Sequence, residues 1–563
     1  MNDTVKIIFG LTGGLAIFIF GMNLMSECLQ KAAGEKMKNI LGLLTKNRLL
    51  GVIAGALVTA VLQSSSATTV MAIGFVSAGL MSLPQAISII FGANIGTTMT
   101  AQIIAFKITD YIYVFIFVGF LVSFICKKEK IKNIGLTIFA FGLLFLGIET
   151  MGNVMKPLAS SPLFTNMIAK VANIPILGVA VGTLMTLVVQ SSSATIAVLQ
   201  NFASQPGPDG VTSILGLTGA IPILLGDNIG TTITALLASV GQSRNAKRTA
   251  LAHTLFNLSG AFLFIWIVKP FAALITYISP SGPEIEVISR QIANAHTVFN
   301  VTMTLIWIGL LGFMVKLVMK IIPEKKHELI DPVRPLYLDR NVINQPAAAL
   351  QLVAKEIIHY SEVVKDMLKE VTSAMKNSKV DTVRRLKDTS DALNSLHSEI
   401  NEYLSELFSS GALTEMQATQ TAKLMYVLAD VERMGSLSAE MADSVQEKID
   451  NKYKYSKDAL NDIENILKEI EKMYETALQA LTAKDEADPD KAVKLKEDIL
   501  NSDIEMRKQH MQRVNKGKCK KDLSTPYMKI LYCIDRMGNS CINLAEVALN
   551  QMDFTYFLTD SAN

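Results

Sequence analysis

The chain has 563 residues, a net charge of +3, 50% hydrophobic residues and 18% charged ones. That is more than one ordinary domain holds, and no basic tract suggests a nucleic-acid partner. The average hides two objects: residues 1–322 are dominated by apolar segments, whereas from about residue 324 the chain is rich in Lys, Glu and Asp at helical spacing.

A membrane-crossing helix needs about 20 apolar residues. In chain order the candidates are Lys6–Glu27, Pro84–Phe106, Tyr111–Cys126, Ile134–Met151, Ser213–Val240, Thr249–Lys269 and Ala293–Ile321. The first lacks a basic leader and a cleavage site, so it reads as a retained helix rather than a signal peptide. Between these segments, Leu49–Leu80 and Pro175–Gln200 are short for two crossings, and each carries a polar cluster near its middle. They are predicted to be re-entrant hairpins, whose irregular tips are tolerated where they line a cavity inside the protein.

The two hairpins are copies. Leu50–Thr69 reads LGVIAGALVTAVLQSSSATT and Leu177–Ile196 reads LGVAVGTLMTLVVQSSSATI, with 13 of 20 positions identical. Other pieces repeat in step: FGMNLM at Phe20–Met25 echoes LGIETM at Leu146–Met151, and GANIGTT at Gly92–Thr98 returns as GDNIGTT at Gly226–Thr232. AHTLFN (Ala252–Asn257) and AHTVFN (Ala295–Asn300) repeat within the second half alone. Duplicated units with interrupted membrane segments are a mark of secondary transporters.

Basic residues set the orientation. Lys31, Lys36, Lys38, Lys46 and Arg48 form one loop, Lys127, Lys128, Lys130 and Lys132 another, Arg244, Lys247 and Arg248 a third, and Lys325 with Lys326 follow the last helix. Placing all four inside gives each half a helix, a hairpin and two further helices. An odd number of crossings per half turns the second copy over, so the repeats, about 6–126 and 133–270, are expected to be inverted, with an extra helix at 293–321. The first hairpin then enters from the cytoplasm and the second from outside.

Hydroxyls, side-chain amides and the free N–H groups of a broken helix make an anion site that needs no full positive charge. Hydroxyl and carbonyl oxygens equally suit a hard cation such as sodium. No Arg or Lys lies in the predicted membrane core near the QSSS clusters, so a multiply charged anion would need co-bound cations to offset its desolvation. Asp227, in GDNIGTT, stands where the first copy has Ala93, which makes the second half the better cation site. His253 and His296 read as helix-packing residues with satisfied imidazoles, and Glu27 and Glu149 as helix-end residues facing water.

The paired QSSS and N-I-G-T segments over about residues 7–321 resemble the sodium–phosphate cotransporter family, which includes the animal type II transporters. The resemblance implies inorganic phosphate as substrate, sodium as driving ion, and alternating access around a site between the hairpin tips. On that pattern Gln63, Ser64, Ser65 and Ser66 surround phosphate together with Gln190, Ser191, Ser192 and Ser193, and Asn94 and Asn228 join them. Sodium draws on Gln190, Asp227, Thr231 and Thr234. Animal members carry a serine where this chain has Asp227.

After a linker at 323–345, residues 346–555 are predicted to form about six helices, with breaks near Asn377, Gly411, Asn451, Asp488 and Ser524. ADVERMGSLSAEMAD (Ala429–Asp443) and CIDRMGNSCINLAE (Cys533–Glu546) repeat within them. This resembles PhoU, a phosphate-signalling protein of two three-helix units. Glu432 and Asp535 are the candidate metal ligands there, although Ser436 and Asn539 stand where that family has second carboxylates. The five cysteines show no paired framework, as suits a reducing compartment.

The chain is thus expected to be an all-α polytopic membrane protein with two inverted repeats, each carrying a re-entrant helical hairpin, and a cytosolic bundle of two three-helix units. Its expected role is sodium-coupled phosphate symport into the cell across a bacterial cytoplasmic membrane, tuned by the tail. A membrane phosphate sensor, or an exporter or channel using the same site, is the alternative. Expected partners are phosphate, sodium, the lipid bilayer and a second copy of the chain. No organic cofactor is expected, and no nucleotide loop or nucleophile–base constellation points to an enzyme.

Overall fold

The computed structural model describes residues 3–33, 47–106, 109–159, 170–171, 173–207, 209–323, 334–377, 380–482 and 490–549. Lys36, Lys38, Lys46, Lys325, Lys326, the expected break at Asp488, and residues 324–333 and 550–555 lie outside them. The chain divides into two compact units, Met1–Lys326 and His327–Asn563. Every regular element among the described residues is helical, beside one isolated bridge between Pro206 and Ser213.

The first unit opens with α1 (Asp3–Ala33), α2 (Arg48–Leu62), α3 (Ser65–Ser77), α4 (Leu83–Ile104) and α5 (Ile112–Ile125). A matching order follows as α6 (Glu129–Ala159), α7 (Pro175–Val189), α8 (Ser192–Ala203), α9 (Gly216–Ala238) and α10 (Arg244–Phe264). A turn of 3-10 helix joins α10 to α11 (Val268–Ile278), and α12 (Glu284–Gly309) and α13 (Leu311–Ile321) complete the unit.

Glycines decide which helices touch. A Cβ at Gly92 would lie 1.9 Å from the Val52 carbonyl oxygen, and one at Gly226 would lie 2.1 Å from that of Val179. The α4 backbone therefore rides directly on α2, and α9 on α7, as small residues permit in membranes. Among the described residues five helical runs, Val5–Ala32, Leu83–Ile104, Glu129–Met155, Gly216–Ala238 and Arg244–Ile278, are long and apolar enough to cross a bilayer. Phe124, Val188, Trp266 and Tyr277 are more than two-thirds exposed, an apolar surface suited to acyl chains rather than water. The first unit is a multi-pass membrane domain.

Three expected spans change. Ala293–Ile321 is not one helix: it begins at Glu284 and bends by 80° at Leu310, between Gly309 and Gly312. The apolar pattern continues through the bend, where Trp307 stacks on Phe313, so periodicity hid it. Thr249–Lys269 lies within a longer run from Arg244 to Ile278. The Tyr111–Cys126 segment yields a helix of 14 residues, about 21 Å long, shorter than a hydrocarbon core of about 30 Å. Two expected inner arginines fasten the end of the unit: Arg248 Nε donates to the Ile322 carbonyl at 2.9 Å and Arg244 to that of Pro323 at 2.6 Å.

The second unit is a bundle of α14 (Pro346–Asn377), α15 (Val380–Ser409), α16 (Glu415–Asp450), α17 (Lys457–Thr482), α18 (Asp490–Asn515) and α19 (Ser524–Leu549). Its core runs through all six, from Leu350 and Tyr360 to Ile530 and Leu544. Breaks fall at Asn377, Gly411 (φ +68°), Asn451 and Ser524. The two repeated motifs lie on α16 and α19, the third helix of each half. Part of the expected linker is folded: the buried Glu356 carboxylate on α14 accepts the N–H groups of Leu336, Tyr337 and Leu338 and pairs with His359, and Tyr403 donates to the Asp339 carbonyl.

Candidate functional site

Each QSSS segment is a helix end meeting a helix start. Gln63 closes α2 at φ +51° and Gln190 closes α7 at φ +55°, both left-handed. A residue with a Cβ gives up about 1–2 kcal/mol there, so the surroundings must hold the turn. Ser64 and Ser191 then cap the next helices, their hydroxyl oxygens accepting the N–H groups of Ala67 and Ala194 at 3.2 Å. This leaves the O–H of each cap free to donate, and brings the positive N-terminal ends of α3 and α8 to one place.

That place is a cavity of about 270 Å³ lined by Gln63, Ser64, Ser65, Ser66, Gln190, Ser191, Ser192 and Ser193, with Ile19, Met22, Asn23, Ser26, Leu62 and Val189. Eight residues named from the repeat are thus brought together, and no charged side chain among the described residues lines the space. Gln63 is buried and held: its amide donates to the Ala60 carbonyl and accepts from Thr100 Oγ1 at 3.0 Å. Gln190 is exposed to the cavity and makes no such bonds among the described residues.

Behind each break lies a pair of threonines. In the first copy Thr59 Oγ1 donates to Thr68 Oγ1 at 2.8 Å. In the second, Thr186 Oγ1 donates to Asp227 Oδ1 at 2.7 Å and also lies 3.1 Å from Thr195 Oγ1. Asp227 is fully buried and its Oδ2 has no partner among the described residues. A carboxylate oxygen beside hydroxyls is a hard donor set that fits sodium. Thr231 Oγ1 bonds back to the Asp227 carbonyl at 2.9 Å, and Thr234 Oγ1 lies 3.1 Å from Ser66 Oγ, linking α9 to the first copy's serines.

Asn94 and Asn228 do not line the cavity. Asn94 accepts from Asn257 Nδ2 at 3.3 Å, and Asn228 Oδ1 lies 3.2 Å from His296 Nε2. The AHTxFN segments do pack helices, but only His296 has a partner: both ring nitrogens of the buried His253 lack one among the described residues. Neither imidazole is fully satisfied as expected, since His296 Nδ1 also lacks a partner among the described residues.

In the tail, Glu432 accepts from Ser436 Oγ at 2.5 Å, and Asp535 is paired at 2.7 Å with Lys496 Nζ. An ammonium already neutralises Asp535, and no group of three His, Cys, Asp or Glu among the described residues could hold a metal. The donor set does not fit a metal cluster. Nearby, Cys533 packs on Glu440, and burial pushes its thiol up to about 12.

Sequence reasoning passed over Asn23, Ser26, Thr186 and Thr100. Thr186 was legible, since Thr59 and Thr186 are identical positions four residues before each glutamine. Asn23 and Ser26 share one face of α1 at i, i+3 spacing with the apolar Ile19 and Met22, a pattern visible in the sequence but uninformative until α1 is set against the breaks.

The profile of the Na+/Pi-cotransporter family matches residues 17–153 and again 153–279, and that of the PhoU domain matches 357–445 and 463–548. An uncharacterized protein of Bacillus subtilis, YqeW, is 31% identical over 319 residues, which is 57% of this chain and 99% of the relative. YjbB of Escherichia coli K12, named provisionally for inorganic phosphate export, is 23% identical over 474 residues, 84% of this chain and 83% of its own. Human sodium-dependent phosphate transport protein 2B is 39% identical over 99 residues, 17% of this chain and 14% of its own. No solved structure matches the chain.

Proposed function

Starting from a chain that belongs to the Na+/Pi-cotransporter family and carries a PhoU domain, we propose that the membrane unit is a sodium-coupled phosphate symporter working by alternating access. The observation that carries this reading is a cavity lined by both QSSS segments. Phosphate is bound there by the free hydroxyls of Ser64 and Ser191, the remaining QSSS serines, Gln190, and the N-terminal ends of α3 and α8. Asn94 holds helices together instead of touching the anion, since its amide donates to the Ile90 carbonyl and accepts from Asn257, whereas Asn228, whose Nδ2 has no partner among the described residues, keeps a donor to give. Sodium is bound by Asp227 with Gln190, Thr231 and Thr234, and its charge offsets the desolvation of the anion.

On this reading α2–α3 and α7–α8 are re-entrant hairpins of two inverted repeats, and rocking one repeat against the other moves the site from outside to inside. The protein sits in a bacterial cytoplasmic membrane with its tail in the cytoplasm, where the tail regulates flux. Export is a second reading, favoured by the likeness to YjbB, which extends over 84% of this chain.

Radiolabelled phosphate uptake into proteoliposomes, with and without an inward sodium gradient, separates these readings. Symport gives uphill, sodium-dependent uptake that the Ser64→Ala, Ser191→Ala double variant loses. Uptake indifferent to sodium overturns the symport reading, and sodium-independent efflux favours export.

A further inference from the structure

The cavity has a donor side and an acceptor side. Ser64 and Ser191 accept N–H groups at their caps, so each of these two serines keeps its proton to give. Ser26, on α1, is the reverse. Its Oγ donates to the carbonyl of Leu62, the last residue of α2, at 2.5 Å, and accepts Gln30 Nε2 at 3.2 Å. A hydroxyl has one proton and two lone pairs, so Ser26 has one lone pair left and nothing to donate. Asn23, one turn away and exposed to the same cavity, adds a side-chain amide whose oxygen can accept.

An edge of acceptors is useless to a fully deprotonated oxyanion and repels it. It suits a tetrahedral oxyanion that keeps a proton. Inorganic phosphate and arsenate carry at least one O–H at neutral pH, whereas sulfate carries none. We infer that the α1 face, through Ser26 Oγ and the Asn23 amide oxygen, accepts the proton of a protonated tetrahedral oxyanion and thereby selects phosphate and arsenate against sulfate. The inference rests on the proposal that phosphate occupies this cavity. Discrimination by a buried group that must pair with a substrate O–H is stronger than discrimination by size, because the wrong ligand leaves that group unsatisfied.

The test is radiolabelled phosphate transport by the full-length protein in proteoliposomes, in competition with sulfate and with arsenate, beside equilibrium phosphate binding in detergent. The intact protein should be inhibited by arsenate and ignore sulfate. Ser26→Ala should weaken phosphate and arsenate about tenfold and leave sulfate unchanged or stronger, while Ser26→Thr, which keeps the oxygen, should restore the preference. Asn23→Leu should move selectivity in the same direction as Ser26→Ala. A parallel loss for all three anions in Ser26→Ala would mean that the residue only braces α2, and would overturn the inference. So would strong sulfate inhibition of the intact protein, with phosphate transport still standing. Absence of both phosphate transport and phosphate binding in the intact protein would instead sink the underlying assignment, and this inference with it.

Discussion

The two broken-helix units, α2–α3 and α7–α8, share a backbone and differ in what presses on it. Both turn at a left-handed glutamine, both cap the next helix with serine, and both hold a threonine pair across the break. In the first, α4 presents Ala93, so Thr59 gives its proton to Thr68. In the second, α9 presents Asp227, and Thr186 gives its proton to the carboxylate instead. One substitution in a neighbouring helix thus converts a structural hydrogen bond into a candidate cation site. The two copies share a scaffold, and the difference at one buried position redirects a threonine's proton.

The comparison breaks first at the glycines. Gly92→Ala and Gly226→Ala both drive a Cβ into backbone carbonyl oxygen, and each should cost at least about 3 kcal/mol. Thermal unfolding of the purified protein should show equal losses; tolerance of one and not the other would mean that the copies are not packed alike. Asp227→Ala makes the second copy like the first. It should raise the sodium needed for half-maximal transport at least about tenfold, equivalent to about 1.4 kcal/mol, with phosphate binding without sodium little changed. Sodium dependence that survives would reduce Asp227 to a structural acid.

The threonines sharpen the contrast further. Thr59→Val removes one neutral hydrogen bond and should cost about 1 kcal/mol, whereas Thr186→Val strips a buried carboxylate of its donor and should cost about 2 kcal/mol. Equal values from denaturation would contradict the asymmetry. The smallest effect belongs to the glutamines. Replacing either with glycine relieves about 1 kcal/mol of left-handed strain. Gln190→Gly should therefore stabilise slightly, but Gln63→Gly also forfeits the bonds to Ala60 and Thr100 and should not. Gains in both would show that the Gln63 bonds contribute nothing.

Much of this was readable without coordinates, and the exceptions have specific causes. The first three tail helices end at Asn377, Ser409 and Asp450, at or just before the breakers Asn377, Gly411 and Asn451. The bend at Leu310 was invisible because the apolar residues keep their helical period across it. Asn94 was placed with the anion set by its position in a repeated motif, but its amide reaches Asn257 on a helix 163 residues away in the chain. The pairing of Asp535 with Lys496 was equally hidden, since the two residues lie on different helices of the tail.

The residues alone determined that a unit is duplicated, that its centre is broken and polar, and that an apolar half precedes a charged helical one. Those properties are local: they depend on runs of side chains, on turn-forming glutamine and serine, and on identity between copies. Only the tertiary structure decided which polar groups share a cavity, which threonine meets an acid, and which serine has spent its proton. These depend on helices distant in sequence approaching within hydrogen-bond range, through glycine contacts of a few ångströms that no local pattern specifies.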